Sequence, residues 1–254
     1  MDLEILHAVR AKGIKACLLG GRAVALLCER GGSIIPDQLK RVSEDVDLFI
    51  LRRDRKAVTQ TLREIGCTPE TEFNVLNGNV RLIFFREQTK IDIFIDTFQM
   101  CHTLHLAGRM AEADLTLSPA DLLLTKLQVV EINTKDLIDI AALLLALPIH
   151  PGDRLGIDGP YLARCLARDW GLWKTSTLNL SKLRQLAAGL LPGTGGWKER
   201  LAKALDKLEE HIEGAPKSIA WRARAVIGER VPWYESPEEP DMRASSPSCG
   251  IAPR

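Results

Sequence analysis

The chain has 254 residues, 46% of them hydrophobic and 26% charged. That composition excludes wholesale disorder and suits one large domain or two small ones. Lys and Arg number 34 against 33 Asp and Glu, a net charge of +1, so no global field draws the chain to nucleic acid or to a membrane.

Leu3, Leu6, Ala8 and Val9 give a short amphipathic helix, and Lys15–Leu19 a buried strand. Gly20-Gly21 breaks that strand, Arg22–Glu29 has helical composition, and Gly31-Gly32 ends it. Ser33–Ser43 is expected to be a loop around Pro36. Asp45–Leu51 alternates charged and apolar residues and predicts a half-buried strand. Lys56–Ile65 predicts a helix closed by Gly66. Phe73–Leu76 and Val80–Phe85 flank Asn77-Gly78-Asn79, which predicts a hairpin. Lys90–Phe98 predicts one further strand. The order is α-β-α-β-α-β-β-β, a mixed sheet with helices.

After Thr103 the pattern becomes helical. Leu115–Leu147 is Leu-rich, with a second helix from about Lys135 to a stop at Pro148. Pro151–Pro160 predicts a loop or linker, followed by helices at Tyr161–Arg168, Leu180–Leu190, Trp197–Ile212 and Lys217–Ile227. From Pro232 onward the chain is rich in Pro and Ser and is expected to fray. The aromatics are sorted between these regions. All six Phe fall between Phe49 and Phe98, and all five Trp and both Tyr fall at or after Tyr161. The six cysteines form no CxxC pair, and no apolar run reaches the ~18 residues of a membrane span. A cytoplasmic chain with reduced thiols and no membrane partner is expected.

Three features can carry chemistry. Gly20-Gly21 stands between a strand and a helix, where backbone N–H groups can approach a phosphate. Asp45 and Asp47 are two apart in a strand and share a face, so their charges repel unless a cation neutralises them. Asp92 and Asp96 share one face of the strand IDIFID, with Ile91, Ile93 and Ile95 on the other, and either could supply a third acid. Taken singly, each has a bland explanation: a tight turn or a solvated strand face.

In this order, LLGGRAVALL, RVSEDVDLFI and KIDIFID, the set resembles the polymerase-beta-type nucleotidyltransferase superfamily. It is most similar to AbiEii-type bacterial nucleotidyltransferase-like proteins, whose R-x-S-x-D-h-D phrase is matched by Arg41-x-Ser43-x-Asp45-Val46-Asp47. Their K-h-[DE]-h phrase is matched by Lys90-Ile91-Asp92-Ile93, which ranks Asp92 above Asp96. The resemblance covers roughly residues 14–147. It implies an α+β fold, a mixed-sheet nucleotidyltransferase core followed by a helical C-terminal region. Residues 1–110 would form the core, 111–150 a helical extension completing the site, 151–235 a helical domain and 236–254 a flexible tail. It further implies that Asp45, Asp47 and Asp92 hold Mg2+ or Mn2+, and that Gly20, Gly21, Ser43 and Lys126 bind an NTP. A later aspartate would complete the catalytic set; Asp136 and Asp139 are both candidates, and Asp139 matches slightly better. The activity implied is transfer of an NMP to an RNA, a protein or a small-molecule hydroxyl. A toxin-type enzyme acting on tRNA, with a cognate antitoxin, falls within that range. The gap between Gly21 and Asp45 is longer than in minimal members, and the inserted loop could reshape the nucleotide pocket.

The alternative is a non-catalytic nucleotide- or RNA-binding module on the same fold. Residues 161–235 carry a charge of +5, and Arg222, Arg224 and Arg230 beside Trp221 and Trp233 could contact RNA. His102 and His105, after the last strand, read as surface or packing residues.

Overall fold

A computed structural model describes residues 3–41, 43–110, 115–152 and 156–237. The first helix, α1 (Glu4–Ala11), buries Ile5, Leu6 and Val9 along one side. It leads into β1 (Ala16–Leu19), α2 (Gly20–Arg30), β2 (Val46–Ile50), α3 (Arg55–Glu64) and β3 (Thr68–Pro69). Then come α4 (Thr71–Asn77), β4 (Arg81–Arg86) and β5 (Thr89–Ile95). The five strands form one sheet in the order β1-β2-β5-β4-β3. Only β2 and β5 run parallel; the other neighbours are antiparallel. Residues Ile91–Ile95 of β5 are buried without alternation, so both faces of the sheet are covered. The fold is α+β, a mixed sheet with helices followed by a helical C-terminal region.

Two expectations about the sheet are corrected. Residues 73–76 are not a strand of a hairpin but part of α4. The Asn74 side chain donates to the Ile83 carbonyl at 2.8 Å and accepts from the Ile83 N–H at 2.7 Å, doing the work of a neighbouring strand. Phe73 alone of the apolar run is buried, while Val75 and Leu76 face solvent, 78% and 73% exposed. The strand expected over Lys90–Phe98 also breaks. Asp96 adopts a left-handed φ of 60°, and the chain turns from β5 into β6 (Thr97–Gln99), which pairs with β7 (Thr103–His105). Asp96 is fixed at this corner because its carboxylate accepts from the Arg52 N–H and Nε at 3.0 and 3.1 Å.

Two apolar helices follow, α5 (Pro119–Leu127) and α6 (Thr134–Ala146), with Ser118 and Asn133 as N-caps. Both pack on α2. The expected linker Pro151–Pro160 includes β9 (Ile157–Asp158), which pairs in parallel with β8 (Ile149–His150) just before it. The helices α7 (Gly159–Leu166), α8 (Trp170–Leu190), α9 (Trp197–Gly214) and α10 (Ile219–Ile227) complete the described chain. Asp121 on α5 is buried and bound by Arg109 and by the Tyr161 hydroxyl at 2.6 Å, tying α5 to α7. Buried apolar side chains form one continuous cluster from Ile5 to Ile212.

The aromatic sorting has a structural counterpart. Phe49, Phe84, Phe94 and Phe98 belong to the sheet and its edge, whereas Trp170, Trp173, Trp221 and Trp233 pack on one another beside α8 and α10. Arg224 lies over the Trp170 ring and donates to the Gly228 and Val231 carbonyls, so its guanidinium is engaged within the chain. Most of the frayed segment expected after Pro232, from residue 238, lies outside the described residues. Among the described residues no helix is long and apolar enough to cross a membrane.

Candidate functional site

The turn from β1 into α2 is built around Gly20, whose φ of +67° is left-handed. A Cβ at residue 20 would lie 1.9 Å from Oδ2 of Asp47, so the carboxylate occupies the space a side chain would fill. Gly21 is equally constrained: its Cβ would come within 2.6 Å of the Arg41 guanidinium and 3.0 Å of the Ser43 Cβ. The double glycine is therefore more than a turn. It lets β2, Arg41 and Ser43 close onto the start of α2. Leu19, the residue before the helix, offers no side-chain cap, and the close approach of Asp47 to Gly20 sets that carboxylate beside the positive end of the α2 dipole. Arg22 also holds Ser43 there, donating to the Ser43 and Glu44 carbonyls at 3.1 and 2.8 Å.

Asp47 on β2 lies directly opposite Asp92 on β5. Asp45 is exposed in the bend just before β2 rather than inside the strand. Burial, the charge of Asp92 and the charge of Asp45 push the Asp47 carboxyl up to about 7, against the opposing pull of Lys126 and Lys90. Asp45, Asp92, Lys90 and Lys126 are thus close enough to act on one carboxylate. Asp96 takes no part in this cluster.

Asp92 is held differently from its expected role. It is buried, and Arg81 on β4 binds it through Nε at 2.7 Å and through a terminal nitrogen at 2.5 Å. Lys90 approaches the same carboxylate at 3.3 Å. Arg81 is itself buried, its guanidinium 5.5 and 5.1 Å from the Phe73 and Phe94 ring centres. Sequence reasoning missed Arg81. The available signal was a lone cation heading the apolar run Arg81-Leu82-Ile83-Phe84-Phe85. Ile83 pairs with Asp92, so Arg81 stands diagonally across from it, within reach of a long side chain.

A second polar group lies where α5 and α6 meet the site. Lys126 is nearly buried and contacts Asp136 at 2.7 Å and Asp139 at 2.9 Å. Burial pulls its pKa down, but Asp139 and Asp136 outweigh that and leave it raised. Asp139 also accepts both arms of Arg41, at 2.6 and 2.5 Å. Asp136 and Asp139 therefore both serve Lys126, and only Asp139 links it to the segment that carries Ser43. The role of Arg41, quoted in the sequence phrase without an assignment of its own, is to bridge 98 residues of chain to α6.

The chemistry of this donor set can be tested against a divalent cation. Among the described residues, no three His, Cys, Asp or Glu side chains are arranged to hold a metal ion. Asp92 has both oxygens engaged by Arg81. Asp45 and Asp47 remain, and the raised Asp47 carboxyl is the group whose charge a cation would relieve. Mg2+ takes one or two carboxylates with phosphate oxygens, and Asp45 and Asp47 are two carboxylates of that chemical kind. No protein family, curated protein or solved structure matches the chain.

Proposed function

We propose that the protein is a Mg2+- or Mn2+-dependent nucleotidyltransferase. The observation that supports this most is the packing of Gly20 under Asp47, with Asp92 in register beside it, at the uncapped start of α2. Asp45 and Asp47 would hold the ion, which neutralises triphosphate charge when bound. The first N–H groups of α2 and the Ser43 hydroxyl would bind phosphate oxygens. Lys126 adds positive charge behind Asp47, and Asp139 orients both Lys126 and Arg41. Asp92 would stand beside Asp47 as a fixed carboxylate, held in place by Arg81. In the reaction an acceptor hydroxyl oxygen bonds to the α-phosphorus, the α–β phosphoanhydride bond breaks, pyrophosphate leaves and the hydroxyl proton passes to water. Catalysis of this type is mainly positioning and electrostatics.

Incubation with each α-labelled NTP, Mg2+ and total RNA, protein extract or small-molecule pools tests the proposal. Label transfer that disappears in Asp47→Asn supports it, and absence of both NTP binding and transfer overturns it. A cognate antitoxin and a tRNA acceptor belong to the toxin-type variant of this proposal, which the tRNA fraction of the assay addresses. The Arg81–Asp92 clamp favours one second reading, a nucleotide- or RNA-binding module without turnover, because it commits the third carboxylate to a guanidinium. NTP binding at normal strength with no transfer to any pool would select that reading.

A further inference from the structure

A cavity of about 630 Å3 lies along α2, within the range of sites that enclose small organic molecules. One wall is a single face of α2, carrying Val24, Ala25 and Cys28; the loop after α2 supplies Ile35 and Leu39, and α6 supplies Ala142. From Gly21 to Cys28 this wall is ~11 Å long. The cavity shares Gly21, Arg41, Ser43 and Asp139 with the candidate site, so its polar end is the site itself. The loop that closes it is pinned by the Arg41–Asp139 pair and by the close approach of Arg41 to Gly21.

We propose that this cavity binds the acceptor, and that the acceptor is a small molecule with an aliphatic body and a hydroxyl group. The proposal rests on the nucleotidyl-transfer reading above and narrows its acceptor class. Among the described residues no aromatic ring lines the cavity, so none of them offers a face to stack a nucleobase. The guanidinium groups of Arg22 and Arg41 are held by main-chain carbonyls and by Asp139. The rim carries Glu29 and Asp139 as well as Arg22, Lys40 and Arg41, a mixture unsuited to a polyanion. Ile34, also on the lining, is 78% exposed, which extends the apolar surface to the outside. An aliphatic body along α2 would place a terminal hydroxyl at the Ser43 end. There its oxygen forms the new bond to the α-phosphorus, pyrophosphate departs with the broken bond's electrons, and the proton goes to water.

The test uses the full chain with Mg2+, 1-octanol and 1,2-octanediol as probes in ligand-observed NMR, and a fluorescent ATP analogue as a separate readout. Saturable alcohol binding is expected. Ala25→Trp, which fills the cavity, should weaken it by about tenfold. The exposed Ile34→Glu, which leaves the fold untouched, should weaken it in the same direction, and both variants should keep ATP-analogue affinity within about twofold. The proposal is overturned by absence of saturable alcohol binding, by alcohol binding indifferent to both variants, or by competition between octanol and the ATP analogue, which would make the cavity a nucleobase site. Unaltered transfer of label to total RNA by Ala25→Trp also overturns it. Nucleotide binding without alcohol binding removes the cavity assignment alone, whereas alcohol binding without nucleotide binding removes the underlying nucleotidyl-transfer reading and the acceptor role with it.

Discussion

The Asp47 carboxylate fills the volume that a side chain at residue 20 would occupy, 1.9 Å from where its Cβ would stand. Strand β2 and the start of α2 are interlocked through a missing atom, and the same contact places an acid beside the positive end of the α2 dipole. Gly20→Ala should therefore cost stability and function together. A left-handed φ without glycine and a forced displacement of Asp47 sum to about 2–5 kcal/mol. Urea denaturation measures the loss, and a fluorescent NTP analogue should bind at least about tenfold more weakly. Adding Asp47→Ala to Gly20→Ala should restore part of the stability and none of the nucleotide binding. A second substitution that only deepened the loss would contradict the interlock.

Asp47 sets a pH dependence of known sign. Its carboxyl is pushed from 3.8 up to about 7 by burial and by Asp92 and Asp45. Between these two values the native state holds a proton that the unfolded chain has lost. Stability therefore falls as pH rises through this window, and the penalty is complete above about 7. In EDTA, Asp47→Asn should be more stable than wild type by ~1–3 kcal/mol at pH 8, with the difference vanishing towards pH 4. Mg2+ with a nucleotide should stabilise wild type at pH 8 more than it stabilises the variant. Thermal melts across pH, with and without Mg2+ and nucleotide, check both statements.

Arg81 and Asp92 are each about nine-tenths buried and bonded through two arms, with side-chain exposures of 7% and 6%. Removing Arg81 leaves Asp92 buried with Lys90 at 3.3 Å as its remaining partner, so Arg81→Ala should destabilise towards the lower end of about 3–5 kcal/mol. The double variant Arg81→Met/Asp92→Leu should recover most of that loss, because apolar replacement of a buried pair is close to neutral. Chemical denaturation of the single and double variants is the measurement. A loss in the double variant equal to that in Arg81→Ala would mean that Phe73 and Phe94 packing, rather than charge, sets the cost.

His102 is buried, and its Nε2 shares a hydrogen with the Thr175 hydroxyl at 2.8 Å. Trp233 donates to that hydroxyl at 3.1 Å. Burial lowers the His102 pKa below 6.5, while the charges of Asp169 and Glu235 pull it back up. The unfolded chain takes up a proton below 6.5 that the native state resists, so this contribution to stability is lost as pH falls. His102→Gln should flatten the acid limb of the stability curve. Trp233 fluorescence in wild type should report release of the 231–235 segment on acidification, and no spectral change between pH 7 and pH 5 would count against it.

Glycine and acid positions made the candidate site legible because they are local: Gly20-Gly21, Asp45-x-Asp47 and Asp92 each follow from a turn or a strand period. What joined them was not local. The register that sets Asp47 against Asp92 depends on a parallel pairing across more than forty residues of chain. Arg81, the partner that changes what Asp92 can do, is visible only after β4 is laid beside β5. The corner at Asp96 was likewise not visible locally: bonds to Arg52 reward a left-handed φ there and turn the chain out of β5.

The sequence by itself determined the α+β class, the helical second half and the positions of most elements, since hydrophobic period, glycine and proline act over a few residues. It misjudged α4, where one Asn side chain replaced a strand's hydrogen bonds. Only the tertiary structure decided how charges are shared: Lys126 between Asp136 and Asp139, Arg41 with Asp139, and Arg81 with Asp92. It alone produced the cavity along α2, whose walls come from α2, the following loop and α6. Ion pairs and cavities depend on which residues meet across the folded chain, and no local period encodes that meeting.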